Sequence, residues 1–247
     1  MRFVIFSGTT EGRRLSHALA ARGAEVTVCV ATDYGREEQG TAPGVTVCTG
    51  RLDAAEMAAL LQNAAVCVDA THPYAAAATA NIRAACLASG VPCKRLLRPG
   101  SALPPGAVPA SSAAAAAAFL AGTDGNVLLT TGAKELSAFA PLGGARLYPR
   151  VLPLAASLTA CEAAGIPHSN ILALQGPFTQ ELNEAILRQY RIAWLVTKDG
   201  GAVGGFAEKA AAARAVGAAL VVIARPADSG ADYDEILRQC REMMTCR

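Results

Sequence analysis

Aromatic side chains are scarce in this sequence, at 5 % of 247 residues with a single tryptophan. Ring packing therefore does not fill the interior, and the 52 % hydrophobic content falls mainly to Ala, Val, Leu and Ile. Neither sign of charge is in large excess. The formal net charge of +2 lacks the strongly basic footprint of a nucleic-acid binder, so no nucleic-acid partner is expected. No apolar run reaches the roughly 18 residues that cross a bilayer, so no membrane association is expected. The apolar stretch in Met1-Arg2-Phe3-Val4-Ile5-Phe6 is too short for a signal peptide and reads as a first strand, which makes the cytoplasm the expected location. Histidines are few (17, 72 and 168) and ungrouped. The eight cysteines (29, 48, 67, 86, 93, 161, 240 and 246) form no Cys-x-x-Cys and no other metal-ligand spacing. Neither a bound metal nor a disulfide framework is expected. Cys29, Cys48 and Cys67 fall in predicted strands, where a reduced thiol acts as a small hydrophobe.

What is present is alternation. Short β-type runs alternate with helical stretches from end to end, the pattern of parallel βα units. In the first half the predicted strands are 2–7, 25–31, 44–48, 65–70 and 93–97, with helices at 11–22, 53–63 and 75–89. Asp53-Ala54-Ala55-Glu56 has the spacing of a capping box. Arg98-Pro99-Gly100-Ser101-Ala102-Leu103-Pro104-Pro105-Gly106 then interrupts any element and reads as a crossing between domains. The alanine run 113–118 reads as a helix. A second series follows, with strands near 126–131, 146–150, 171–175, 194–198 and 220–225 and helices near 134–139, 155–164, 179–190, 206–217 and 232–243. The expected fold is α/β, with two doubly wound, Rossmann-like domains of mostly parallel sheet, at 1–98 and 110–247. A cleft between them is the expected active site.

Two motifs carry the chemistry of the first half. Ser7-Gly8-Thr9-Thr10-Glu11-Gly12 follows the apolar run Phe3–Phe6, where a strand gives way to a helix. Backbone amides there can receive a phosphate. Thr10 stands where the dinucleotide fingerprint Gly-x-Gly-x-x-Gly has its middle glycine. A threonine hydroxyl can donate to a phosphate, and Thr9 or Thr10 can equally be a plain helix N-cap. The second motif, Asp69-Ala70-Thr71-His72-Pro73-Tyr74-Ala75, follows another buried strand and places a hydroxyl, an imidazole and a phenol at the same sheet edge. A lone histidine is usually structural; its position at a strand's C-terminal end favours a role in binding or catalysis. After the second strand, Thr32 and Asp33 are followed by Arg36, and these signals leave NADH and NADPH both open.

In the second half, four strand ends are polar: Thr130-Thr131-Gly132-Ala133-Lys134, Tyr148-Pro149-Arg150, Gln175-Gly176-Pro177-Phe178 and Thr197-Lys198-Asp199-Gly200-Gly201. Lys and Arg are ordinarily solvated. Their recurrence at successive edges points instead to a surface for an acidic ligand, which Arg225 extends.

These strings, with Gly204-Gly205-Phe206-Ala207-Glu208-Lys209 and Val222-Ile223-Ala224-Arg225-Pro226, resemble the precorrin-6A reductases of cobalamin biosynthesis along essentially the whole chain. The string from Asp69 to Ala75 is the most specific. Thr197–Gly201 departs from the pattern in having no serine near its first glycine. The resemblance implies a reductase moving hydride from NADPH or NADH to a double bond of a tetrapyrrole, with or without cobalt in the ring. On that reading Gly8, Thr9, Thr10, Gly12, Thr32, Thr71, His72 and Pro73 hold the cofactor. Lys134, Arg150, Gln175 and Lys198 hold the substrate. His72, Tyr74 and Lys198 are candidate proton donors. A short-chain dehydrogenase would need a Tyr four places before a Lys, and none of the five tyrosines (34, 74, 148, 190 and 233) has one. A non-catalytic dinucleotide sensor would account for the first half but not for the polar edges of the second.

Overall fold

The computed structural model describes residues 1–98, 100–200 and 205–245. Gly201 and Gly204 of the strings above, and Cys246, lie outside them. The chain forms two compact units, one of Met1–Pro99 with Pro226–Arg247 and one of Gly100–Arg225.

The first unit runs β1 (Arg2–Ser7), α1 (Thr10–Ala20), β2 (Glu25–Val30), α2 (Asp33–Gln39), β3 (Val45–Thr49), α3 (Ala54–Leu61), β4 (Val66–Ala70), α4 (Ala76–Ser89) and β5 (Cys93–Arg95). Among the described residues its sheet has five parallel strands in the order β3-β2-β1-β4-β5. β1 and β4 are buried along most of their length, which is why both read as continuous apolar runs. One face packs Phe3, Ile5, Val26 and Val68 against Leu15 and Leu19 of α1. The other packs Val4, Phe6 and Cys67 against Met57, Leu61, Ile82 and Cys86 of α3 and α4. The capping box at Asp53 forms as its spacing predicts.

The second unit runs β6 (Val108–Ala110), α5 (Ala113–Leu120), β7 (Asn126–Leu129), α6 (Leu136–Phe139), β8 (Leu147–Val151), α7 (Ala155–Ala163), β9 (Leu172–Ala173), α8 (Gln180–Gln189), β10 (Ile192–Lys198), α9 (Phe206–Val216) and β11 (Ala219–Ile223). Its strands are also parallel, in the order β6-β11-β10-β7-β8-β9. Setting aside the edge strand β6, both units have the same winding. The first strand of each βα series lies at the centre, the next two lie to one side, and the last two to the other.

The second unit ends at Arg225, not at 247 as the sequence reading has it. The last helix, α10 (Tyr233–Thr245), belongs to the first unit. Its buried Ile236, Leu237 and Cys240 join the cluster around Phe3 and Leu15, and the Arg14 guanidinium lies 4.5 Å from the Tyr233 ring centroid. Leu96 pairs with Ala231 beside it. An amphipathic helix shows that it covers a sheet but not which one, hence the difference.

Candidate active site

In a doubly wound sheet the crevice lies where the strand order reverses, outside the carboxyl ends of the strands. In the first unit that point is between β1 and β4, whose last rung pairs Ser7 with Ala70. Both motifs of the first half follow that rung. Thr9 is the N-cap of α1, its Oγ1 accepting from the Gly12 amide at 3.1 Å. The same hydroxyl donates to the Ala70 carbonyl at 3.0 Å, which ties one motif to the other. Thr9 is thus committed to the fold. A methyl group on Gly12 would come 2.6 Å from Ser7 Oγ and 2.9 Å from Ala70 Cβ, so α1 can approach the sheet this closely only with glycine there. Gly8 has open space, and a methyl group on it would meet only the His72 amide nitrogen, at 3.9 Å. Gly8, Thr9, Thr10, Arg13, Thr32 and Tyr34 line a cavity of about 320 Å³ running from the end of β1 to the end of β2. Arg13 Nη1 donates to the Glu38 carbonyl at 2.7 Å, fixing a cation at the cavity wall.

The turn carrying His72 is held from below. Asp69 Oδ1 accepts from the Thr71 amide at 3.0 Å and from Thr71 Oγ1 at 2.7 Å. Arg95 on β5 donates from Nη1 to the same oxygen at 2.8 Å and to the Thr71 carbonyl at 3.0 Å, while its Nε reaches Asp228 Oδ2 at 2.7 Å. Asp69 and Arg95 are both buried. Above them the His72 and Tyr74 rings stack with centroids 5.5 Å apart, and His72 Nδ1 accepts from the Tyr74 amide at 3.4 Å. In the neutral ring that leaves the proton on Nε2. Glu11, in the first turn of α1, is gripped by Arg98 at 2.6 and 2.9 Å. Burial raises its pKa, but the hydrogen bond and charge of Arg98 outweigh this and hold the carboxyl below its ordinary range.

In the second unit the order reverses between β7 and β10. Lys134 lies just after β7, exposed on a short 3-10 turn (Ala133–Glu135). Lys198 ends β10 and pairs with Glu135 at 3.0 Å. Among the described residues, the hydroxyl of buried Thr131 and Glu135 Oε2 have no hydrogen-bond partner there. Gln175 is exposed beyond the edge strand β9, two strands from β7.

Arg150 differs from its expected place. Tyr148-Pro149-Arg150 is not a strand-end loop; it lies inside β8, and Arg150 is only 7 % exposed. Its Nη1 donates to Asn183 Oδ1 at 2.8 Å and its guanidinium lies 3.9 Å from the Phe178 ring centroid. Burial lowers its pKa to about 10. Nearby Lys209 on α9 is 8 % exposed, and burial first, then the charge of Arg150, lowers its pKa to about 8. Arg225 is held by Asp199 at 3.2 Å.

The structure therefore brings Gly8, Thr9, Thr10, Gly12, Thr71, His72, Pro73 and Tyr74 together at one switch point. Thr32 lies at the far wall of the adjoining cavity, where its hydroxyl caps α2 by accepting from the Gly35 amide at 3.1 Å. Lys134 and Lys198 stand at the ends of the two strands that flank the other switch point. Sequence reasoning missed Arg95, Asp228, Arg98 and Lys209 as supporting residues. Lys209 stood in a quoted string and Arg98 in the stretch read as a crossing between domains, neither with a role given; Arg95, Asp228 and Arg98 act across long sequence separations with no local pattern.

Similarity to known proteins agrees along the full length. The family described as "Precorrin-6x reductase CbiJ/CobK" matches residues 2–241. A Priestia megaterium protein named cobalt-precorrin-6A reductase is 34 % identical over 230 residues, covering 90 % of each chain. The Salmonella typhimurium cobalt-precorrin-6A reductase is 35 % identical, covering 90 % of this chain and 87 % of its own. A Rhodococcus erythropolis precorrin-6A reductase is 34 % identical over 232 residues, covering 91 % of this chain and 89 % of its own. The solved structure of CobK precorrin-6A reductase superposes with a TM-score of 0.77 at 25 % identity, over 98 % of this chain and 97 % of that one. With two parallel, doubly wound sheets and both motifs at one switch point, this chain belongs to the precorrin-6x reductase family.

Proposed function

We propose that this chain reduces a precorrin-6A-type tetrapyrrole to its 6B form in the cytoplasm, with hydride from a nicotinamide dinucleotide. The observation that carries this reading is the meeting of the glycine turn and the His72 turn at one switch point, in a chain similar to reductases from end to end. The bound dinucleotide supplies the hydride. Gly8 leaves room for a pyrophosphate to approach the backbone, and the first amides of α1 can donate to it. We read the cofactor as NADPH, because the Arg13 guanidinium, fixed in the wall of this cavity, would suit the negative charge of a 2′-phosphate.

In the second unit, Lys134 and Lys198 would receive carboxylates of the tetrapyrrole. Such charge-assisted bonds contribute roughly 1.5–3 kcal/mol each. Holding the donor and acceptor carbons in contact would supply most of the acceleration. Protonation of the carbon that receives no hydride is assigned to His72, which in its imidazolium form would give up one proton and be left as the neutral ring, stacked on Tyr74.

The test is anaerobic turnover with precorrin-6A or its cobalt form, using NADPH deuterated at the transferred position. Loss of nicotinamide absorbance with one deuterium gained by the tetrapyrrole is the expected result. Cofactor binding without turnover on either ring form would overturn the proposal and leave a dinucleotide sensor.

A further inference from the structure

Sequence spacing shows no metal motif, yet three cysteines converge in space. Cys67 on β4, Cys86 on α4 and Cys93 on β5 have sulfurs that all lie within 4.8 Å of one another. Cys67 and Cys93 are register partners on neighbouring parallel strands, and Cys86 comes down from the helix that covers them. Cys67 is fully buried and Cys86 nearly so, whereas Cys93 is exposed. One side of the cluster is thus apolar and dry, and the other opens to solvent.

We propose that Cys67, Cys86 and Cys93 form a binding site for one soft d10 metal ion, with copper(I) preferred over zinc(II). Sulfur donors select soft ions, and no oxygen or nitrogen ligand belongs to the cluster among the described residues. Metal–sulfur bonds of about 2.3 Å place the sulfurs of a three-coordinate ion about 4 Å apart, so the triangle needs to contract by less than ~1 Å. Zinc in a structural site takes four ligands, and copper(I) is satisfied by three. On binding, each thiol releases its proton to solvent and the sulfur lone pair forms the bond; no electron changes hands. Three thiolates around a monovalent cation leave excess negative charge. The guanidiniums of Arg83 and Arg95 lie close enough to act on Cys93, although Asp69 and Asp228 already pair with them, so the open, solvent-facing side of the cluster must carry most of that charge.

The site has a structural consequence. Side chains two residues apart on a strand share a face. Two residues beyond Cys67 and Cys93 stand Asp69 and Arg95, the ion pair that fixes the Thr71 turn. An ion on the three sulfurs would therefore brace the rung next to the one that positions His72.

The experiment uses the full, reduced protein under anaerobic conditions. Copper(I) is presented in competition with a chromophoric chelator. Zinc(II) is titrated separately, and cadmium(II) serves as a reporter through its thiolate charge-transfer absorbance. One equivalent of copper(I) bound ahead of zinc, with a rise in Tm, is the expected result. Loss of an outer partner of a metal site costs ~10–100-fold in affinity, so loss of a ligand should cost at least about 100-fold. Cys93→Ser and Cys86→Ser should each show that loss, and Cys48→Ser should not. Cys93 is exposed, so its variant should fold, and an unchanged circular dichroism spectrum checks this. No stoichiometric uptake by the wild type, or uptake that survives both Cys93→Ser and Cys86→Ser, would overturn the site. Tighter binding of zinc than of copper would overturn the three-coordinate assignment.

Discussion

Arg95 Nη1 lies 2.8 Å from Asp69 Oδ1, and the same nitrogen donates to the Thr71 carbonyl at 3.0 Å. One buried guanidinium thus balances a buried carboxylate and holds the first residue of the His72 turn. Breaking a buried pair by removing one partner typically costs ~3–5 kcal/mol, because the other charge stays buried. Arg95→Ala should lose about that much in urea unfolding. Arg95→Ala with Asp69→Asn should recover part of it, since no charge is stranded. Equal losses in the single and double variants would show that the charge of Asp69 is not what matters.

Thr10 opens α1 beside the turn proposed to hold the cofactor phosphates. A carboxylate introduced there would face the pyrophosphate. Charges at a helix start are worth ~0.3–2 kcal/mol, so Thr10→Glu should weaken NADPH binding by roughly 2–30-fold. Equilibrium titration of nicotinamide fluorescence measures this, and unchanged affinity for both NADPH and NADH would move the site elsewhere.

Gly12→Ala sets two effects against each other. Alanine favours a helix by about 1 kcal/mol, but overpacking costs ~1–3 kcal/mol. With its methyl group 2.6 Å from Ser7 Oγ and 2.9 Å from Ala70 Cβ, overpacking should win. The variant should melt at a lower temperature and bind cofactor more weakly, as α1 is pushed off the sheet. A melting temperature at or above wild type would mean that the helix start yields without cost.

The cations of the second unit should divide into two kinds. Lys134→Ala and Lys198→Ala should raise the tetrapyrrole KM by about tenfold or more, the equivalent of ~1.4 kcal/mol. Arg150→Ala should instead lower stability, because it strips a buried partner from Asn183 and Phe178. Steady-state kinetics and thermal melts on the three variants separate the two. Wild-type KM in both lysine variants would remove this edge as the substrate site.

Lys209 gives a pH signature. Burial and the charge of Arg150 lower its pKa in the fold to about 8, against 10.5 ordinarily. The unfolded chain then binds the proton more tightly, so stability should rise between about pH 8 and 10.5 as the folded lysine discharges. The two limits correspond to roughly 3 kcal/mol at most. Lys209→Met should be more stable than wild type near pH 7, and this advantage should shrink toward pH 10. An advantage that is constant with pH would rule out the titration.

The alternation of strands and helices was legible because buried parallel strands such as Val66–Ala70 read as apolar runs. Two elements were not. Asp33–Gln39 is a polar seven-residue helix with no apolar stripe, started by its Thr32 cap. Val108–Ala110 is a three-residue strand with Pro109 inside it, tolerated because β6 is an edge strand. The two motifs of the first half were legible because each follows a strand directly. Arg150 was expected to face an acidic ligand from a polar strand end, whereas it is buried in β8 against Asn183 and Phe178, partners that lie about 30 residues away in sequence. The Asp69–Arg95–Asp228 network and the three-sulfur cluster depend on strand register, which no single stretch of sequence displays.

The return of the chain to its first unit after Arg225 bears on the order in which the protein matures. During synthesis, the stretch from Gly100 to Arg225 leaves the ribosome complete and can close its own core. The stretch before Gly100 completes its core later, because the face that α1 shares with β1 gains Ile236, Leu237 and Cys240 only after Arg225 has been made. Until then that face stays open to chaperones. The segment before Gly100 is thus expected to become resistant to protease later than the segment that follows it.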